Sequence, residues 1–172
     1  MNQGVNQELK SFLKGLPAFE RFGERHIDAL AERLEVKQYP DSHVFMRQGS
    51  AGDALHLIMQ GTVTLTRHDP VSRSEQEIAE SGAGELCCIL ALIDNMPAMV
   101  TATARGSVKG ATLSRERYNE LSLLAPPVSQ QFQYMLAVQL ARDIQRLNAG
   151  LREYASSSGD TTTIIPGQHW KS

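Results

Sequence analysis

Between Gly84 and Ala104 the chain reads GELCCILALIDNMPAMVTATA: a Gly-Glu-Leu opening, a short apolar run, and a proline ahead of a strand-like tail. A loop that enters a short helix can hold an anion on the first amides of that helix. An arginine strengthens the hold by giving two parallel hydrogen bonds to phosphate oxygens. Here the residues after Pro97 are Ala98 and Met99, so neither a guanidinium nor a hydroxyl follows the proline. Cys87 and Cys88 are adjacent within the apolar run, which suits buried free thiols better than a disulfide framework or a structural zinc site. Asp53 and Glu85 fall at turns and are read as turn residues rather than an acid/base pair. No Ser-His-Asp or Cys-His spacing stands out, and the chain is expected not to be an enzyme.

These residues need elements to position them. From Glu8 to Val36 the apolar residues Leu9, Phe12, Leu13 and then Ile27, Leu30, Leu34 recur at helical spacing, broken by Gly15 and Pro17, which predicts two short helices within 8–36. From Lys37 the chain turns to brief alternating stretches. Leu55, Leu57, Val63 and Leu65 lie between polar neighbours, and Gly49, Gly52 and Gly61 mark turns. The pattern predicts a mainly β fold, a roll or jelly roll of short antiparallel strands over 37–115. VKGATLSRERYNEL continues it with one more strand-like segment.

A helix is then expected over 126–154, about 40 Å long at 1.5 Å per residue. Phe132, Leu136, Leu140, Ile144, Leu147, Leu151 and Tyr154 form a stripe of threes and fours along it. A helix of that length exceeds what a domain of 172 residues needs, so the stripe is expected to pair two copies into a homodimer. The expected organisation is one domain over 1–155 and a disordered tail over 156–172. A net charge of -2 gives no global attraction to nucleic acid. The start lacks the apolar core of a signal peptide, and no apolar run reaches the length of a membrane span, so a cytoplasmic protein without membrane contact is expected.

The order of helices, glycine-punctuated strands, cassette, strand and long helix resembles the cyclic-nucleotide-binding domain. This is the sensor module of catabolite-activator-type regulators and of cyclic-nucleotide-dependent kinases and channels. LKGLPAF, VFMRQGSAGDALHLIMQGTVTLT and the cassette at 82–104 carry the resemblance, in order and without gaps, from about Leu9 to Tyr154. In that family the cassette runs Phe-Gly-Glu-Leu-Ala-Leu-Leu, three variable residues, then Pro-Arg-Ser or Pro-Arg-Thr. The proline therefore stands eight residues after the glutamate. In this chain Pro97 lies twelve residues after Glu85 and eight after Ile89. The resemblance thus places Cys87, Cys88 and Ile89 on Phe-Gly-Glu, and Gly82 to Glu85 on the turn before the cassette. The visible Gly-Glu-Leu is out of register.

In the family the glutamate takes the ribose hydroxyl, while the arginine and the hydroxyl residue take the cyclic phosphate. The resemblance assigns those places here to Ile89, Ala98 and Met99, which cannot do that work. A cationic stand-in would have to come from Arg105 or Arg47, both read as solvated surface residues. The expected pocket is apolar, lined by Cys87, Cys88, Ile89, Leu90, Ala98 and Met99, with Leu57 beside them.

The family's transcription factors append a helix-turn-helix that this sequence lacks, so no direct DNA binding is expected and output would pass through a protein partner. No cofactor is expected. The alternative is a retargeted pocket holding haem, another apolar ligand, or a cyclic nucleotide through unfamiliar contacts; Cys87, Cys88, Met96, Met99 and His56 are the nominal haem ligands. A cupin-type metalloenzyme would share the short-strand pattern, but its His-x-His pair is missing among His26, His43, His56, His68 and His169.

Overall fold

The computed structural model describes residues 3–68, 73–93 and 96–157, with side chains for all of these except 3, 146, 147 and 150–157. The chain divides into two compact units that meet between Met135 and Leu136. The first begins with helix α1 (Gln3–Gly15), in which Leu9 and Leu13, one turn apart, are buried. Pro17 opens a single 3-10 turn to Phe19, because a fixed φ suits a first helical position. Helix α2 (Glu24–Ala31) then buries Ile27, Leu30 and Ala31, and Glu24 in its first turn complements the helix dipole. The two expected helices are present, although α1 starts at Gln3 rather than near Glu8 and the sheet begins already at Glu35.

Six strands follow: β1 (Glu35–Tyr39), β2 (Val44–Met46), β3 (Ala54–His68), β4 (Glu75–Ser81), β5 (Leu86–Cys87) and β6 (Thr101–Ser114). They form one antiparallel sheet in the order β1-β6-β3-β4, with β2 added to β6 and β5 added to β3. The architecture is a β-roll with flanking helices. Around Gly61 the β3/β6 register shifts twice, and Gly61 itself takes φ 92°. A Cβ there would stand 2.5 Å from the Ser107 carbonyl oxygen, so the bend needs glycine on both counts.

Successive strand residues face opposite sides, so β3 builds two packed layers. Ile58 and Val63 join Tyr39, Cys87, Ala102, Ala104 and Val108 in one buried cluster, with Phe45, Met46, Leu65 and Cys88 packed against it. Leu55 and Leu57, displaced by one from Ile58, pair with Leu113 and Ala111 on the other side and are also buried. The run from Leu55 to Met59 is therefore buried throughout, where the sequence suggested alternation with polar residues. Lys109 on β6 bonds both Glu8 carboxylate oxygens at 2.6 and 2.7 Å and so ties α1 to the sheet.

One element differs in type. The strand-like reading of VKGATLSRERYNEL holds only through Ser114, where helix α4 (Arg115–Leu124) begins. Ser114 caps it by accepting from the Arg117 amide at 3.3 Å, with Glu116 in the first turn. Helix α5 (Pro126–Ser157) runs 32 residues. Its first turns bury Val128, Ser129, Phe132 and Met135 in the first unit, which explains why that unit extends to Met135.

Within the second unit Leu136 is buried, Leu140 is half-buried and Ile144 is exposed, and Gln139 bonds the Asp143 carboxylate at 3.0 Å. The side chains of Leu147, Leu151 and Tyr154, the last members of the expected stripe, lie outside the described residues, as does the expected tail over 156–172 except residues 156 and 157, which end α5. Among the described residues no helix is long and apolar enough to cross a membrane.

Candidate ligand-binding cassette

The cassette starts from a turn at Gly82–Glu85. The Glu85 amide donates to the Gly82 carbonyl at 3.1 Å, and the Glu85 carboxylate accepts from the Gly82 amide at 2.8 Å. Gly84, at φ 88°, donates to the Ile58 carbonyl at 2.8 Å, and Ile58 donates back to Glu85 at 3.0 Å. Glu85 is thus consumed in closing its own turn, which leaves its carboxylate a structural acceptor. Strand β5 pairs His56 with Cys87 and Leu57 with Leu86. The next residue, Cys88, takes φ 61°, and helix α3 (Ile89–Ile93) opens directly after it.

The six residues expected to line a pocket take different surroundings. Cys87 is 3% exposed and Ile89 5%, both buried. Cys88 and Ala98 are half-buried. Leu90 and Met99 are 55% and 65% exposed, and Ile93 and Met96 are equally open, so this wall of the cassette is an exposed apolar surface. Leu57 is buried on the face opposite the cluster that contains Cys87, because strand alternation turns it away. Ala98 is fixed through its backbone: its amide donates to Ser50 at 2.9 Å and its carbonyl accepts from Gly49 at 2.8 Å. The loop carrying Ala98 and Met99 is therefore held against the turn at 49–50.

Two of the three arginines near this region are engaged with other groups. Arg105 pairs with Glu77 at 2.7 Å and with Glu80. Arg47 is exposed beside the turn that its carbonyl forms with Ser50. Arg115, which the sequence did not single out, donates to the carbonyls of Gly52 at 3.1 Å and Ala91 at 2.5 Å, so its guanidinium holds α3. Gly52 lies so close to α3 that a Cβ would collide with the Ala91 Cβ. The serine cap at Ser114 was the available signal for Arg115, since it marks the residue as the first of a helix.

A ring ladder lies beside the cassette. Tyr39, His43 and Phe45 sit 4.7–5.0 Å apart, and Phe45 meets His56 at 4.9 Å. His56 Nδ1 and the Tyr39 hydroxyl both bond Thr112 Oγ1, at 2.9 and 2.8 Å. Burial, then the neighbouring His43, lower the His56 pKa to about 4, so the imidazole is neutral at pH 7. Of the nominal haem ligands, His56 has one nitrogen engaged, Cys87 is buried, and Met96 and Met99 face outward. Among the described residues no group of three His, Cys, Asp or Glu side chains could hold a metal ion.

The family profile described as the cyclic nucleotide-binding domain matches residues 36–123, which covers β1 through α4 and the whole cassette. The chain belongs to the cyclic nucleotide-binding domain family. A regulatory subunit of cAMP-dependent protein kinase from Dictyostelium discoideum is 30% identical over 145 residues, 80% of this chain and 41% of that protein. A cyclic nucleotide-binding domain from Methylobacillus flagellatus superposes with a TM-score of 0.78 at 22% identity, covering 88% of this chain and 84% of that one. The regulatory subunit of a cAMP-independent protein kinase A from Trypanosoma brucei superposes with a TM-score of 0.61 at 21% identity, over 76% of this chain and 48% of that one. This cyclic nucleotide-binding domain spans about half or less of the length of the curated relatives it matches. As a member of the family it is a regulatory module of cyclic-nucleotide-binding type.

Proposed function

We propose that this module regulates through assembly and a protein partner, and that its cassette does not bind cAMP or cGMP in the family's manner. The observation that carries the reading is Ile89, a buried aliphatic side chain at the opening of α3, where the family alignment expects the ribose-binding carboxylate. Ala98 stands where a guanidinium is expected, and Arg105 is held by two glutamates rather than free to substitute. A hydrogen bond to a charged group contributes about 1.5–3 kcal/mol. Without the arginine pair and the glutamate, the deficit is about 4–8 kcal/mol, a factor of a thousand or more in affinity.

The left-handed φ of Cys88 supports the alignment, because that position corresponds to the family's glycine. A homodimer through α5 fits the exposed Ile144 and half-buried Leu140, while Phe132 and Leu136 are already buried within one chain. A cassette whose ribose-binding position is Ile89 is also compatible with sensing something other than a cyclic mononucleotide. The trypanosome relative, described as cAMP-independent, is a precedent for this fold working without cAMP.

Isothermal calorimetry of the purified chain with cAMP, cGMP and cyclic di-GMP, beside an absorbance scan for haem, tests the reading. No heat with either mononucleotide is expected. Micromolar binding of either would overturn it, and a haem Soret band would redirect it to the retargeted pocket.

A further inference from the structure

Adjacent residues of a regular strand send their side chains to opposite faces. Cys87 ends β5 and Cys88 follows it, so continued strand geometry would separate the two thiols. Cys88 instead takes φ 61°, a left-handed conformation that disfavours any residue bearing a Cβ. The alternation is broken there. Cys88 packs against the same buried cluster that contains Cys87, so the two side chains share one side of the turn. Glycine would make this turn without strain, so what the cysteine adds is a second sulfur.

We propose that Cys87 and Cys88 form a dithiol receptor for trivalent arsenicals of the type R–As(OH)2. In the step, two S–H and two As–O bonds break and two As–S bonds form. The thiol protons leave with the two hydroxyl groups as two molecules of water, arsenic remains trivalent, and no electron is transferred. The adduct is neutral, and this matches the surroundings. Cys87 is buried, and its hydrogen bond to Cys88 together with burial pushes its thiol pKa well above the usual range. Its cross-strand neighbour His56 is an uncharged imidazole at pH 7.

A two-coordinate copper(I) adduct would leave a negative charge in apolar surroundings. A linear mercury bridge needs its two sulfurs on opposite sides of the metal, whereas adjacent cysteines packed into one cluster hold theirs on the same side. Pyramidal arsenic takes two sulfurs side by side. Cys88, half-buried, supplies the accessible first thiol, and Cys87 closes the ring. The inference is independent of the nucleotide reading, since β5 and the turn after it set the thiol pair whichever nucleotide binds.

These two are the only cysteines of the chain, which makes the test clean. The reduced full chain is titrated with phenylarsine oxide and followed by native mass spectrometry, free-thiol count and thermal unfolding. The expected result is one arsenical per chain, loss of both free thiols, and a raised Tm, because the ligand binds the folded state. Cys88→Gly keeps the left-handed turn and removes the chelate, and should bind at least about a hundredfold more weakly. Four results would each overturn the proposal: no adduct with the folded chain, an adduct that forms only in denaturant or lowers Tm, one arsenic bridging two chains, or Cys88→Gly binding as tightly as the parent.

Discussion

Putting charge back into the cassette separates a lost site from a disguised one. Ile89→Glu removes a side chain only 5% exposed, forfeiting about 2 kcal/mol of apolar burial. It also places a carboxylate in a buried spot, while Arg105 is bound to Glu77 and Glu80 and Arg47 is exposed to solvent. An unpaired buried charge raises the total cost to about 3–5 kcal/mol. For a domain of this size each kcal/mol lowers Tm by about 2–4 °C, so the single variant should melt about 12 °C below the parent. Ala98→Arg is milder, because Ala98 is half-buried and fixed by its backbone to Gly49 and Ser50 rather than by its methyl group.

The double variant recreates both charged contacts. It should bind cAMP about a thousandfold or more tightly than the parent. At a ligand concentration a hundred times Kd it should also recover about 2.7 kcal/mol of stability. Differential scanning fluorimetry with and without cAMP, paired with calorimetry, reads both effects. A parent that binds cAMP at micromolar Kd, with a double variant no tighter, would refute the reasoning. So would an Ile89→Glu chain with unchanged Tm.

Stability should fall with acid through His56. Its folded pKa is lowered to about 4 from 6.5, so the unfolded chain takes up the proton first; the contribution is intact above pH 6.5, is lost as pH falls from there, and levels off below about 4. The integrated loss is about 3 kcal/mol; urea unfolding at pH 7 and pH 4.5 measures it, and His56→Phe, which suits the ring ladder, should flatten the slope. Gly52→Ala should cost about 1–3 kcal/mol, because its methyl group collides with Ala91; an unchanged urea midpoint would mean that α3 yields freely. Leu140→Asp with Ile144→Asp should convert a dimer to a monomer in sedimentation while each chain keeps its fold by circular dichroism, since Ile144 is exposed and Leu140 half-buried; an unchanged mass would place pairing elsewhere.

The roll was legible because its signals are local. Gly49 and Gly61 sit at positive φ where turns were expected, and the eight-residue spacing from Ile89 to Pro97 put Cys88 at the one non-glycine cassette residue, among those described, that takes a left-handed φ. What escaped depended on partners far along the chain. Burial of both faces of β3 at Leu55–Met59 requires layers that no window of the sequence contains. The exposure of Leu90 and Met99 follows from how α3 and the loop after it are set, and their apolar character alone suggested the opposite. Helix α4 escaped because VKGATL alternates like a strand up to Ser114, the residue whose hydroxyl caps the helix.

Arg115 is both the first residue of α4 and the group that grips Ala91 and Gly52. Its own amide donates to the Asp53 carbonyl at 2.6 Å. That joint has almost no play: if α3 shifts outward, either the guanidinium bond to Ala91 ruptures or the start of α4 is dragged along. An inward shift is blocked at once by the bare backbone of Gly52.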